Sequence, residues 1–387
     1  METKATARWA GKIWYAPRLR VAVPTVAGVW LGAAIVAMLK NAHRVAGVAA
    51  LALAVTVAQG SPVAHVLDRA AMPVSAAHNR VMLGLANAGT RIVAVGERGL
   101  IVLSDDQGKT WRQAKVPVSI ALTAVMFPTP ATGWAVGHAG TILRSTDGGA
   151  SWVKQLDGLS LIALLDNAFA SAAPAQRAMA LQFAADGPDK PFLDVYFYDA
   201  QRGVVVGAYG LALRTEDGGA TWQPLMGQLD NPKGLHIYAL AGRGDQLWLA
   251  GEQGFLARSS DAGKSFVAVP SPYQGSFFAA ALLPDGDVLV GGLKGNLYRL
   301  NPMGVPVRKV EGLPPVSLSA MAMRGEQVMF TNQAGQLFAS TDGGANVRQV
   351  ATAHPGAPLS SLLYGSTGRL IGAGVRGVQA VATRGAE

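Results

Sequence analysis

The sequence predicts an all-β protein, a seven-bladed β-propeller with four-stranded antiparallel blades. The first observation is an octet, STDGGASW at 145–152, with close copies at 104–111, 215–222, 259–266 and 340–347. The second is a turn before the octet that recurs seven times, with aligned glycines spaced by 41, 70, 44, 41, 40 and 42 residues. A period near 40 with several short strands per unit is typical of a propeller blade. The aligned glycines are Gly99, Gly140, Gly210, Gly254, Gly295, Gly335 and Gly377.

Each unit contains four strand-like runs. In the second unit they are LTAVMFP (122–128), GWAVG (133–137), GTILRS (140–145) and SWVKQL (151–156). All four have strand length, are rich in β-branched or aromatic residues, and are bounded by Gly, Pro or Asp. The unit therefore predicts one four-stranded blade, and seven units predict a ring over residues 82–383.

Two irregularities interrupt the period. The gap of 70 residues contains an insertion at 159–191, which is Ala-rich with apolar residues at helical spacing and predicts a short amphipathic helix or a long ordered loop. The last unit stops after three strands, and an open edge would expose unpaired backbone groups. Residues 61–81 are therefore interpreted as a linker and a ring-closing strand, the outer strand of the seventh blade.

The N-terminus is interpreted as a targeting region, residues 1–60. It carries a net charge of +6, so most of the protein's +9 lies outside the predicted propeller and nucleic acid is not an expected partner. The uncharged run 45–58 has the length of a signal-peptide core, which predicts a signal peptide over 38–60 with translation from Met38. A membrane anchor at 21–39 is the alternative. We predict an exported protein, periplasmic or anchored facing the periplasm, with possible contact with the membrane surface. Two membrane spans would instead form a hairpin and return the body of the protein to the cytoplasm.

Composition excludes several kinds of site. The chain has no cysteine, which removes disulfides, thiolate nucleophiles, cysteine metal ligands and a lipoprotein anchor. The six histidines show no metal-binding spacing. We therefore expect no cofactor and no metal.

The octet predicts a structural turn. Its aspartate can accept hydrogen bonds from backbone N–H groups of its own turn, its glycine allows a positive φ, and its aromatic residue can pack beneath the turn. Five copies favour a structural over a catalytic role. The predicted structural residues are Asp106, Trp111, Asp147, Trp152, Asp217, Trp222, Asp261, Phe266 and Asp342.

These motifs resemble a known family. The octet is similar to the Asp-box, or BNR, repeat of sialidases. The fuller signature, Gly-x-x-Gly and then a strand ending Arg-Ser/Thr-x-Asp-Gly-Gly-x-x-Trp, resembles the photosystem II stability/assembly factor family of seven-bladed propellers. The resemblance covers roughly 82–383 and is strongest over blades one to four, while the insertion and the long N-terminus depart from the compact photosynthetic form.

The resemblance implies a non-enzymatic scaffold. In the photosynthetic members the propeller binds an integral membrane subunit of the reaction centre during assembly, through a basic patch. By resemblance we expect a monomeric propeller that binds an integral membrane protein or complex and assists its assembly or stability.

The alternative is a glycan-binding protein or a degenerate sialidase-like glycoside hydrolase. A retaining glycosidase needs two carboxylates about 5 Å apart. Most carboxylates here lie in octets or turns, and the sialidase Phe/Tyr-Arg-Ile-Pro element is missing. Paired acidic residues in the central pocket would favour this alternative.

Two surfaces are candidates for partner binding. Second-to-third-strand turns and inter-blade connections share one face, here called the first face, and third-to-fourth-strand turns lie on the opposite, octet face. The first-face candidates are Arg98, His138, Tyr209, Glu252, Lys294 and Arg376. The second candidate is an arc of arginines that end third strands, unless each simply packs and pairs within its blade. These are Arg144, Arg214, Arg258 and Arg299.

Overall fold

The computed structural model describes residues 65–351 and 357–381. They form seven antiparallel sheets in chain order, six with four strands and the last with three. The prediction of a seven-bladed propeller is confirmed. The predicted targeting region lies outside the described residues. No helix in the described part of the chain has the length and apolar character needed to cross a membrane.

The strands of blades one to four alternate with short turns. Blade one has β1 (Met82–Ala88), β2 (Arg91–Gly96), β3 (Ile101–Ser104) and β4 (Arg112–Gln113). Blade two has β5 (Leu122–Met126), β6 (Gly133–Gly137), β7 (Ile142–Ser145) and β8 (Val153–Leu156). Blade three has β9 (Phe192–Phe197), β10 (Gly203–Gly207), β11 (Ala212–Thr215) and β12 (Gln223–Pro224). Blade four has β13 (Ile237–Arg243), β14 (Gln246–Gly251), β15 (Leu256–Ser259) and β16 (Val267–Ala268).

The remaining blades follow the same order. Blade five has β17 (Phe277–Leu282), β18 (Val288–Gly292), β19 (Leu297–Leu300) and β20 (Pro306–Lys309). Blade six has β21 (Leu318–Arg324), β22 (Gln327–Asn332), β23 (Leu337–Ser340) and β24 (Arg348–Val350). Blade seven has β25 (Leu359–Tyr364), β26 (Leu370–Gly374) and β27 (Gly377–Ala380).

The hydrophobic core is divided among the seams between neighbouring blades. Seven buried clusters are present, and each draws its side chains from two adjacent blades. At the seam of blades two and three, the rings of Trp134 and Phe197 stack with centroids 3.5 Å apart. Because second strands are buried on both faces, they read as continuous apolar runs such as Val204–Val206.

The structure corrects the predicted ring closure. Residues 65–81 contain no strand, and the seventh sheet keeps three strands. This segment instead packs beside blade one. There the Ala71 N–H donates to the carbonyl of Val116, which follows the last strand of that blade, at 3.0 Å. It reaches blade seven as a 3-10 turn, Ala77–Asn79, against Gly377. Packing of Met82 and other blade-one side chains on Ile371 then closes the ring.

The insertion forms two helices, α1 (Gly158–Ala168) and α2 (Pro174–Asp186). Asp157 caps α1, since its Oδ1 accepts the Ser160 N–H at 3.0 Å, and Pro174 opens α2 at a position that needs no N–H donor. Leu165 and Phe183 pack into the seam of blades two and three. The insertion therefore extends that seam with a helical layer.

We expect Leu165→Ala to lower the free energy of unfolding by about 3 kcal/mol, because it removes a fully buried side chain and leaves a cavity. Urea denaturation followed by circular dichroism measures the change. Leu159→Ala on the same helix is the matched control, since Leu159 is 65% exposed, and should change stability little. Equal losses in both variants would contradict the packing of α1 described above.

Candidate partner-binding face

The octet aspartates hold their own turns on the octet face. Asp147 Oδ1 accepts the Ser151 N–H at 2.9 Å and the Ser145 hydroxyl at 2.8 Å, while its Oδ2 accepts the Ser151 hydroxyl at 2.6 Å. The Ser145 Oγ in turn accepts the Gly149 N–H at 2.9 Å. The same pattern surrounds the other four octet aspartates, Asp106, Asp217, Asp261 and Asp342.

These contacts favour the ionised carboxylates. At Asp261, partial burial opposes ionisation, but hydrogen bonds from Ser265 and Ser259 outweigh it and lower the pKa to about 2. Both oxygens are already used by the turn, so the carboxylate has no chemistry to offer a substrate. These contacts favour a structural role for the octet aspartates.

The octet aromatic residues pack under the turns. The Trp152 Nε1–H donates to the Gly149 carbonyl at 2.9 Å, and its ring meets Phe127 edge-on. Trp111 stacks on His78 of the N-terminal segment, Trp222 packs edge-on against Phe197, and Phe266 joins the seam of blades three and four.

The four predicted arginines of the arc have local contacts. Arg144 lies over the Trp134 ring, with its Cζ 5.5 Å from the centroid. Arg299 pairs with both Asp285 and Asp287. Arg214 contacts Gln223 and Glu216, and Arg258 approaches Met303. These contacts favour structural roles within and between blades.

The first-face turns hold side chains in a strained backbone conformation. Five residues that are not glycine have φ between 50° and 58° at the same position of the turn, and they are Arg98, Ala139, Tyr209, Gln253 and Lys294. The left-handed region costs an L-residue about 1 kcal/mol or more. The fold imposes this conformation in blades one to five, and the side chains at this position project from the first face.

Lys294→Gly should raise the free energy of unfolding by roughly 1 kcal/mol, because glycine adopts the left-handed region without strain. Lys294→Ala keeps the strain and is the control, with stability near that of the parent. Thermal and urea denaturation of the three proteins checks this expectation. A glycine variant no more stable than the alanine variant would contradict it.

The structure places the predicted first-face residues on different blades. Arg98, His138, Tyr209, Lys294 and Arg376 are exposed and Glu252 is half-buried. Tyr209 and Glu252 come together through His236, which lies directly before the first strand of blade four. The His236 Nδ1 lies 3.0 Å from Glu252 Oε2, and the Tyr209 and His236 ring centroids are 4.9 Å apart.

Lys190 also belongs to this cluster, although no motif in the sequence had indicated it as a site residue. Its Nζ lies 5.7 Å from the Tyr209 ring centroid and 2.8 Å from Asp189 Oδ1. The insertion positions it, because both ends of the insertion bond the blade-two turn. The Gly158 N–H donates to the Ala139 carbonyl, and the Gly140 N–H donates to the Lys190 carbonyl, both at 2.7 Å.

An aromatic strip connects this cluster to the propeller axis. It consists of Tyr209, His236, Tyr238 and Phe278, with successive ring centroids 4.9, 5.9 and 5.2 Å apart. Tyr238 and Phe278 line the central channel, a cavity of about 290 Å³ bounded by the first strands of all seven blades. The first face thus offers aromatic and charged side chains from rim to channel.

The channel contains one carboxylate among its described lining residues, that of Asp194. Its Oδ2 accepts the Leu240 N–H of the next blade at 2.7 Å, and its Oδ1 accepts the Val195 N–H at 2.8 Å. Burial raises its pKa to about 6, against the opposing effect of these hydrogen bonds. A carboxylate pair of the glycosidase type is not present in this lining. Within residues 65–351 and 357–381, no three metal-ligating side chains lie together either.

Asp194 should make stability depend on pH. Its pKa in the folded protein lies above the ordinary value of 3.8, so its stabilising contribution is complete below pH 4 and is lost as pH rises through 6. Relative to Asp194→Asn, the parent should gain about 2 kcal/mol between pH 7.5 and 4.5. Urea denaturation at both pH values tests this, and parallel pH profiles for the two proteins would refute it.

The fold and the octets define the protein as a seven-bladed propeller of the Asp-box, or BNR, class. A sequence profile described as Photosynthesis system II assembly factor YCF48 matches residues 103–171 and 175–274. The Photosystem II assembly lipoprotein Ycf48 of Synechococcus sp. (strain CC9902) is 32% identical over 74 residues, 19% of this chain and 22% of the relative. The Photosystem II assembly protein Ycf48 of Synechococcus sp. (strain JA-2-3B'a(2-13)) is 34% identical over 143 residues, 32% and 42% of the two chains.

Solved structures share the fold at low sequence identity. A structure described as YCF48 bound to D1 peptide has a TM-score of 0.58 at 18% identity, covering 78% of this chain and 93% of the other. The WD40 repeats of RRP9 score 0.60 at 12% identity, covering 82% and 97%, so this likeness shows the fold alone. The chain spans half or less of the length of the curated relatives it matches. These findings and the repeat signature show that the chain is similar to photosystem II assembly factors of the BNR propeller type.

Proposed function

We propose that this protein is a non-enzymatic assembly factor that binds an integral membrane protein and assists assembly or stability of a membrane complex. The observation that carries the proposal is the first face. There a rigid ring projects exposed side chains from strained turns, next to an aromatic strip that leads to the channel. Function on propellers resides in such loops on a rigid frame. A protein of the same fold has been captured with a D1 peptide.

The partner would meet a mixed surface. Arg98, Lys294 and Arg376 are exposed and positively charged, while the aromatic strip offers stacking surface. Such a face suits an extended segment with acidic and aromatic or apolar side chains, because charge sets its orientation and aromatic contacts supply most of the affinity. A segment protruding from a membrane protein has this form.

Export or anchoring next to the membrane is part of the proposal. The support is the basic, apolar sequence of residues 1–60. One relative is described as a lipoprotein. This chain has no cysteine to carry a lipid, so its attachment would depend on an apolar segment.

The test is cross-linking of the endogenous full chain in its native host, followed by identification of the captured membrane proteins. We expect one membrane complex to be recovered, and to be lost when Arg98, Lys294 and Arg376 are replaced together by alanine. The matched control replaces Lys109, Lys264 and Arg308, three exposed basic residues away from the first face, and removes the same charge.

The control should retain the complex. Equal loss in both triple variants would show that net charge, not the first face, governs binding. Absence of any specific membrane protein would overturn the assembly function itself.

A further inference from the structure

The seam between blades six and seven has a different octet face from the others. In the five blades that carry an octet, the octet turn packs over the blade before it, as Gly149 does against Leu103 and Gly344 against Leu289. Blade five has no octet, but Gly304 in its third-to-fourth-strand turn lies against Val269 of blade four in the same way. Blade seven has no octet among its described residues, which end at Val381, directly after β27. A cavity of about 240 Å³ lies at this place between the two blades.

Three exposed arginines from three separate strands or turns line this cavity together with Tyr364 and Gln327. The arginines are Arg324, Arg348 and Arg369. Within the described part of the chain, no carboxylate forms a salt bridge with any of the three. Some arginines at other seams are neutralised, as Arg299 is by Asp285 and Asp287 and Arg91 is by Asp105. Arg144 and Arg258 lack a carboxylate partner among the described residues, but the first lies over an indole ring and the second approaches a methionine sulfur.

The polar groups around the cavity are held in place from outside it. The Arg324 guanidinium lies against Gly368, where a Cβ would collide with it. The Arg369 Nη1 donates to the Gln107 carbonyl of blade one at 3.4 Å, and the Tyr364 carbonyl accepts from Asn87 Nδ2 at 2.8 Å. Burial raises the pKa of the Tyr364 hydroxyl, so it remains protonated and can donate a hydrogen bond.

Like charges around one cavity repel each other, and an anion between them would remove that repulsion. Guanidinium groups present paired N–H donors that match the oxygens of phosphate or carboxylate. A carboxylate has two oxygens in one plane, whereas the four oxygens of a phosphate group are arranged tetrahedrally, which suits donors that come from separate strands and turns.

We propose that this cavity, lined by Arg324, Arg348, Arg369 and Tyr364, is a binding site for a phosphate group. The group can come from free inorganic phosphate or from the headgroup of a glycerophospholipid. The site lies on the octet face and is independent of the partner-binding first face.

The test is a titration of the detergent-solubilised full chain with inorganic phosphate at constant ionic strength, followed by calorimetry and melting temperature. We expect saturable binding and a rise in melting temperature. Arg324→Gln and Arg348→Gln should each weaken binding at least 10-fold, as expected for loss of a charge-assisted hydrogen bond. Tyr364→Phe removes one donor with little change of shape and should weaken binding several-fold.

Arg308→Gln is the matched control. Arg308 lies on the outer strand of blade five, as Arg348 does on that of blade six, and its replacement removes the same charge. It should leave affinity unchanged. Absence of saturable binding by the folded parent, or equal effects of Arg308→Gln and Arg324→Gln, would overturn the proposal.

A parallel titration with glycerol 3-phosphate distinguishes the two sources. Tighter binding of glycerol 3-phosphate than of phosphate, again dependent on Arg324, would identify a lipid headgroup site. Equal or weaker binding would identify a site for free phosphate.

Discussion

The fold depends on a close contact within the blades, between the second-to-third-strand turn and the residue just before the first strand. In six of the seven blades, the first residue of the second-to-third-strand turn donates its N–H to the carbonyl just before the first strand, as Leu293 does to Ser276 at 3.0 Å. The residue before that donor is glycine in five of the six, because a Cβ at a position such as Gly292 would collide with that carbonyl. In blade six, Asn332 stands where the other five blades have glycine. Its side-chain oxygen accepts hydrogen bonds from two backbone N–H groups of the turn.

This constraint connects the fold to the proposed function. In blades one to five, the residue after this N–H donor lies in the left-handed region, even where it is Tyr209 or Lys294. The strain costs little free energy compared with what the buried apolar side chains of each seam contribute. The strained turns hold their side chains in a fixed arrangement around the channel. The same turn in blade two anchors both ends of the insertion, and so places Lys190 beside Tyr209.

The octets lie on the opposite face, where they stabilise the hairpins and the seams between blades. Each one closes its own hairpin through an aspartate and also packs on the preceding blade, so it contributes to both the blade and the seam. The cavity between blades six and seven lies where that second contribution is absent from the described chain. Three arginines line this cavity, and among the described residues none of them has a carboxylate partner of the kind that neutralises Arg299 and Arg91.

The sequence by itself determined the seven-bladed fold, because the strands and turns of a blade depend on contacts between near neighbours in the chain, which recur with a visible period. Only the tertiary structure decided how the ring closes, since residues 65–81 bond blade one and reach Gly377 as a turn. It also decided that His236 joins Tyr209 and Glu252, and that three arginines share one cavity. These groupings unite residues from different blades or from distant ends of the chain, and the repeat period carries no information about which side chains meet across a seam.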